Sequence, residues 1–145
     1  MQRAATAVWI GNLKEGTGSA SVKSGAFKDL PVTYQARFEN DPGTNPEELI
    51  AAAHASCFSM ALSAMLNNQG LTPRQIQTTA TVTLTKTEDG FGITKTHLVV
   101  EAMVDDATEA QFQEAAHLAK AGCPVSKLLA PGLESLTMEA RLVKP

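Results

Sequence analysis

Metal-binding motifs are missing from this chain: it holds no CxxC and no HExxH, and its 2 cysteines and 3 histidines follow no zinc-ligand spacing. Basic runs are missing as well. Acidic and basic residues are mixed along the sequence, the net charge is -3, and no Lys/Arg cluster suits nucleic acid or an anionic membrane, so a small, weakly charged partner is expected. The opening Met1-Gln2-Arg3-Ala4-Ala5-Thr6-Ala7-Val8-Trp9 lacks the apolar core and cleavage site of a secretory signal, which favours the cytosol. In that compartment thiols stay reduced, and a disulfide is usually catalytic or redox-sensing.

What is present starts with the cysteines. Cys57 closes His54-Ala55-Ser56-Cys57 inside a long uncharged segment, and Cys123 sits between Gly122 and Pro124, where one helix ends and another starts. The two are 66 positions apart, so only the fold can bring them together. Two thiols among small and apolar neighbours point to redox chemistry. A chain of 145 residues is one domain's worth and buries a real core, so the expectation is a single domain over 1-145.

Strands are expected at Ala5 to Gly11, Ser19 to Ser24 and Leu30 to Phe38, a small antiparallel sheet punctuated by Gly16, Gly18 and a Lys28-Asp29 turn. Asn45-Pro46-Glu47-Glu48 then opens a helix with a capping residue, proline at the first helical position and carboxylates in the first turn, running to about Asn68-Gly70. Ala80, Val82 and Leu84 alternate with threonines, Asp89-Gly90 turns the chain, and Leu98, Val100, Ala102 and Val104 resume the alternation: a hairpin with one buried face. Asp106-x-x-Glu109 reads as the capping box of a second helix that buries Phe112, Ala115, Ala116 and Ala119 and stops at Gly122. A short helix from Pro124 and a strand through Leu136, Met138, Ala140 and Leu142 close the chain. Strands and helices segregate in runs, so the class is α+β, with antiparallel sheets packed around a long buried central helix.

That central helix carries no formal charge from Leu49 to Asn68, and its apolar residues wrap nearly all round. A helix with no polar face is buried on every side. Ser56, Ser59, Ser63 and His54 interrupt it and alanine dominates, which argues against a membrane span. One sheet covers one side of such a helix; the other side needs a partner, most simply the same helix of a second subunit. Ala51, Ala52, Ala53, Ala55 and Ala61 permit the close approach, so a homodimer with Cys57 near its interface is expected.

The stretch Arg37-Phe38-Glu39-Asn40, then Gly43 through Leu62 around His54-Ala55-Ser56-Cys57, together with Lys120-Ala121-Gly122-Cys123-Pro124-Val125-Ser126 and Asp89-Gly90-Phe91-Gly92-Ile93-Thr94-Lys95, resembles the OsmC/Ohr family of organic hydroperoxide reductases, in its osmotically inducible protein C branch. The resemblance covers essentially the whole chain. It implies an intertwined homodimeric α+β fold with two active sites at the subunit interface. It further implies reduction of organic hydroperoxides by a peroxidatic Cys57 and a resolving Cys123, with Arg37 and Glu47 in support, no cofactor, and a dithiol reductant of lipoyl type.

The residues support such chemistry without the name. A thiolate attacks the peroxide, expels an alcohol and becomes a sulfenic acid, which a second thiol converts to a disulfide. Burial among Ala, Phe and Met raises a thiol's pKa, so a positive charge has to compensate. Arg37, always protonated and expected at a strand end just before the Cys57 helix, is the candidate, for the thiolate and for the departing alkoxide alike. Of the two first-turn carboxylates, Glu47 lies nearer the side of the helix that carries Cys57. At about 15 Å along the axis it cannot reach that sulfur, and it suits an arginine-orienting role or simple dipole complementation. Glu48 has a capping-box role available. Cys123 has its own claim to a low pKa, because Pro124 places it at a helix N-terminus. Local electrostatics therefore leave the order of the sulfurs open, and only the resemblance assigns attack to Cys57.

His54 is expected as a hydrogen-bonded interface histidine, with a base or metal-ligand role as the alternative, and His97 and His117 as surface positions. A zinc site from His54, Cys57, Cys123 and a fourth ligand has no motif behind it. The alkyl group of a substrate would pack on Phe38, Phe58 or Met60. The competing function class is a non-catalytic stress protein that binds an apolar ligand or senses oxidants through the same disulfide.

Overall fold

The structure, a computed structural model, describes residues 1-144. The chain divides into two compact units, Met1–Leu49 and Ile50 onward.

In the first unit β1 (Ala5–Ile10), β2 (Thr17–Val22) and β3 (Leu30–Val32) form an antiparallel sheet in that order, with Ala7 opposite Ala20 and Gly18 opposite Val32. Gly18 is required by space: a Cβ there would lie 2.6 Å from the Trp9 ring and 2.7 Å from the Val32 carbonyl. The third strand is shorter than its alternating Leu30, Val32, Tyr34, Ala36 pattern suggests. Thr33 accepts a hydrogen bond from the Ala36 N–H at 3.0 Å and caps a five-residue helix, α1 (Tyr34–Phe38). Arg37 therefore lies in the last turn of a helix rather than at a strand end. A side-chain cap overrode the period-two pattern.

α2 (Pro46–Asn68) starts as expected, with the Glu48 N–H donating to Asn45 Oδ1 at 2.8 Å. Asn45 also donates to the Ala36 carbonyl at 3.1 Å, fixing the entry to α2 against α1. Glu48 does not complete a capping box; its carboxylate accepts from Thr44 Oγ1 at 3.2 Å.

In the second unit the hairpin is long: β4 (Pro73–Thr87) and β5 (Gly90–Val104) pair antiparallel around a two-residue turn at Glu88 and Asp89, one position earlier than expected. α3 (Glu109–Gly122) is capped by Thr108, not Asp106: the Thr108 hydroxyl accepts from the Gln111 N–H and the Gln111 side chain returns the bond. Asp106 occupies the left-handed turn before it, with φ 59. Gly122 lies inside α3, whose C-cap is Cys123. α4 (Pro124–Leu129) and a 3₁₀ turn at Ala130–Gly132 then lead to β6 (Ser135–Leu142), which pairs with β5 in parallel, Leu98 opposite Met138. The second sheet is thus mixed rather than antiparallel, because the α3–α4 crossover returns the chain to the far edge in the same direction as β5.

The core of this unit is built from Phe58, Leu62 and Leu66 of α2, Leu98, Val100 and Ala102 of β5, and Phe112, Ala115, Ala116 and Ala119 of α3. Four-residue spacing puts His54, Phe58, Leu62 and Leu66 on one stripe of α2, all with no exposed surface. The opposite stripe, Ala52, Ser56, Met60 and Ala64, is exposed, Met60 by 75%. A single chain therefore buries α2 on one side only. Among the described residues α2 is the one helix long and apolar enough to cross a membrane.

Candidate active site

Cys57 projects from the middle of α2, one residue before the buried Phe58, and stays half-buried. Cys123 is the C-cap of α3 and the N-cap of α4 at once, and has no exposed surface. The fold brings the two sulfurs to 3.2 Å, the hydrogen-bond distance of a thiol–thiolate pair. A disulfide needs about 2.05 Å, so a shift of roughly 1 Å closes one.

The two sulfurs stand in unequal fields. Cys57 is pushed above an ordinary thiol by burial, then by sharing a proton with its neighbour, with only the Val125 backbone opposing. Burial also works against the Cys123 thiolate, yet its pKa comes out lowered. The Ser126 N–H, the Cys57 thiol, the Ser126 hydroxyl and the Val125 N–H all hydrogen-bond the Cys123 sulfur. These amides form the first turn of α4, which stabilises an anion at its capping position. Of the two sulfurs, Cys123 is the one whose surroundings favour the thiolate.

One turn before Cys57, His54 is fully buried, and its Nε2 lies 2.7 Å from Ser126 Oγ. Burial holds its pKa down, so the ring is neutral. Ser126, 2% exposed, stands in the sequence only as the end of the Cys123 motif, with no role of its own. The available signal was its place one helical turn beyond Cys123, where a hydroxyl can reach the capping atom.

Arg37 and Glu47 meet within the first unit of one chain. Arg37 Nε donates to Glu47 Oε2 at 3.1 Å and a terminal guanidinium nitrogen to Oε1 at 2.6 Å, a two-pronged pair with the carboxylate only 8% exposed. The guanidinium also stacks over the Phe38 ring, 5.3 Å from its centre, and Phe38 in turn lies 4.7 Å from Tyr34. Glu47 thus orients an arginine of its own chain. Phe58 lies wholly inside the core and cannot line a substrate pocket, which corrects that expectation; Met60 faces outward. Among the described residues no group of three or more His, Cys, Asp or Glu side chains is placed to hold a metal ion. His97 bonds Thr137 Oγ1 and His117 the Gln113 carbonyl, each at 2.7 Å, the first half-exposed and the second exposed.

The sequence pattern of OsmC-like proteins matches residues 38–135, a span that holds Glu47 and both cysteines and starts one residue after Arg37. The chain belongs to the OsmC-like family. It is 50% identical over 121 residues to Peroxiredoxin OsmC of Escherichia coli (strain K12), covering 83% of this chain and 85% of that one. It is 36% identical over 97 residues to the organic hydroperoxide resistance protein OhrB of Bacillus subtilis (strain 168), covering 66% and 69%. The crystal structure of Bacillus subtilis OhrB superposes with a TM-score of 0.73 at 28% identity over 95% of this chain and 98% of that one. The α+β architecture of this OsmC-like protein is that of its relatives.

The buried neutral His54 gives the fold a pH dependence of known sign. Free histidine takes its proton near 6.5, while the folded ring takes it only at lower pH, so the unfolded chain binds that proton first. Stability from this site is fully present above pH 6.5 and declines as pH falls below it. Urea midpoints measured between about pH 7 and 5 should fall more steeply for the wild type than for His54→Gln; equal slopes would mean that His54 is not the titrating group.

Proposed function

We propose that this OsmC-like protein is a cytosolic thiol peroxidase that reduces organic hydroperoxides to alcohols, the chain acting as one domain within a homodimer. The observation that carries this reading is the sulfur pair, one thiol accessible and the other fully buried at 3.2 Å. Relatives named peroxiredoxin and organic hydroperoxide resistance protein support it.

Access supports Cys57 as the attacking sulfur, an order that local electrostatics leave open. A peroxide can approach half-buried Cys57 but not Cys123, so the shared proton must pass to Cys123 to leave the thiolate on Cys57. That thiolate attacks one oxygen of ROOH, the O–O bond breaks, and the alkoxide takes up a proton and leaves as ROH. Cys57 is then a sulfenic acid. The Cys123 thiolate attacks the Cys57 sulfur, an S–S bond replaces the S–O bond, and hydroxide leaves as water with one more proton. A dithiol, by the family resemblance of lipoyl type, restores both thiols and leaves as its own disulfide.

Arg37 is the positive charge assigned to the developing alkoxide, and Glu47 the carboxylate that aims it. The exposed stripe of α2 through Met60 is the apolar surface a second copy would cover.

Repeated turnover of an alkyl hydroperoxide with dihydrolipoamide is expected; oxidation of two thiols that then stops would leave an oxidant sensor instead. In variants, Cys57→Ser should be inert toward peroxide, whereas Cys123→Ser should consume about one equivalent and then accumulate sulfinic and sulfonic Cys57 under excess peroxide, as intact mass shows. Oxygen uptake at Cys123 in Cys57→Ser would reverse the two roles. Arg37→Ala should lose on the order of a hundred- to thousand-fold in peroxidase rate. The double variant Arg37→Ala/Glu47→Ala, which leaves no unpaired buried carboxylate, serves as its folding control, and near-wild-type turnover in either removes Arg37 from the mechanism. Equilibrium sedimentation should find a dimer, and a stable folded monomer at low micromolar concentration would overturn that assignment.

A further inference from the structure

Two buried polar groups beside the sulfurs have no part in the cycle above. His54 has no exposed surface and Ser126 is 2% exposed. Their contact runs from His54 Nε2 to Ser126 Oγ at 2.7 Å, and the Ser126 hydroxyl bonds the Cys123 sulfur. A chain of hydrogen bonds has a direction, and one atom on the far side of the ring decides it here: His54 Nδ1 is buried with no partner among the described residues.

A neutral imidazole carries one N–H. On Nδ1 that hydrogen would be an orphaned buried donor, which folded proteins very rarely tolerate, whereas an unpartnered lone pair is less costly. The hydrogen therefore sits on Nε2 and donates to Ser126 Oγ. With its oxygen accepting from histidine, the single hydroxyl hydrogen of Ser126 is free for the Cys123 sulfur.

We infer that His54 and Ser126 are positioning residues for the resolving cysteine: the directed chain from His54 Nε2–H to Ser126 Oγ–H to Cys123 Sγ holds negative charge on that sulfur and aims it for disulfide closure. The inference rests on the peroxidase reading for its place in the cycle. It has a consequence that general damage to the fold does not share, because the two half-reactions need the thiolate on different sulfurs. Donation to Cys123 opposes moving the charge to Cys57, as peroxide attack requires. The same donation favours closure, in which the Cys123 thiolate attacks the Cys57 sulfenic acid, the S–O bond breaks and hydroxide departs as water. Removing the chain should slow closure and leave peroxide attack no slower.

The test is rapid mixing with tert-butyl hydroperoxide, followed by acid quench and intact mass, which separates gain of one oxygen on Cys57 from the later loss of water. Ser126→Ala should close its disulfide about tenfold more slowly than the wild type, the effect of one hydrogen bond lost to a charged sulfur. Its sulfenic acid should form at least as fast. His54→Leu should act in the same direction, and His54→Gln, which keeps an N–H near the Nε2 position, should recover most of the closure rate. Closure at the wild-type rate in Ser126→Ala, or equal slowing of both phases, overturns the inference.

A second measurement needs no peroxide. In a Cys57→Ser background the ultraviolet absorbance of the Cys123 thiolate, followed against pH, should move to higher pH when Ser126→Ala is added. An unmoved titration rules the chain out. If the wild type forms no sulfenic acid at all, the peroxidase reading fails while this titration still decides the hydrogen-bond chain on its own.

Discussion

Two sulfur atoms 66 residues apart meet at 3.2 Å, and the second unit is organised by that contact. α2 touches the α3–α4 junction twice, through Cys57 to Cys123 and through His54 to Ser126. In each partner the two contact residues stand three apart, one helical turn. A pair of such contacts fixes the rotation of α2 as well as its distance, which one contact alone would leave free. Behind the contact lie Phe58, Leu62 and Leu66, packed with β5 and α3 into a core that admits no easy repositioning.

Charge around the sulfurs comes from dipoles. Backbone N–H groups of Val125 and Ser126 and the Ser126 hydroxyl face Cys123, and the nearest ring, His54, is neutral. Such donors need no counter-ion to be brought out of water, and their direction is set by the first turn of α4. Arg37, by contrast, is locked by a two-pronged carboxylate in the first unit, with a half-exposed guanidinium face stacked on Phe38. One device favours an anion and the other holds a fixed cation.

Much of this was legible in the residues. The α2 cap at Asn45, the apolar face of α3 and the α4 start at Pro124 all follow from local chemistry, and the structure has them. Four readings failed where a local signal had a competitor. Leu30 to Phe38 alternates like a strand, yet Thr33 caps a helix inside it. Asp106 and Glu109 have capping-box spacing, yet Thr108 and Gln111 form the box two residues on. β6 reads the same whether its neighbour runs parallel or antiparallel, because alternation encodes a face and not a direction. Phe58 next to Cys57 suggested a pocket wall, but helical geometry turns adjacent residues about 100° apart and sends Phe58 inward. His54 was given a hydrogen-bonding role without its partner Ser126, since their meeting across 72 residues is a product of the fold.

Cys123 caps two helices beside the amides of α4, and this placement reaches beyond reactivity. Whatever lowers the free energy of the thiolate lowers that of the reduced protein, while a disulfide at the same position carries no charge for those amides to hold. In the proposed cycle the geometry of α4 would therefore raise the reduction potential of a Cys57–Cys123 couple. Such a couple would favour the dithiol state, and in that cycle a reductant of modest strength would reset it.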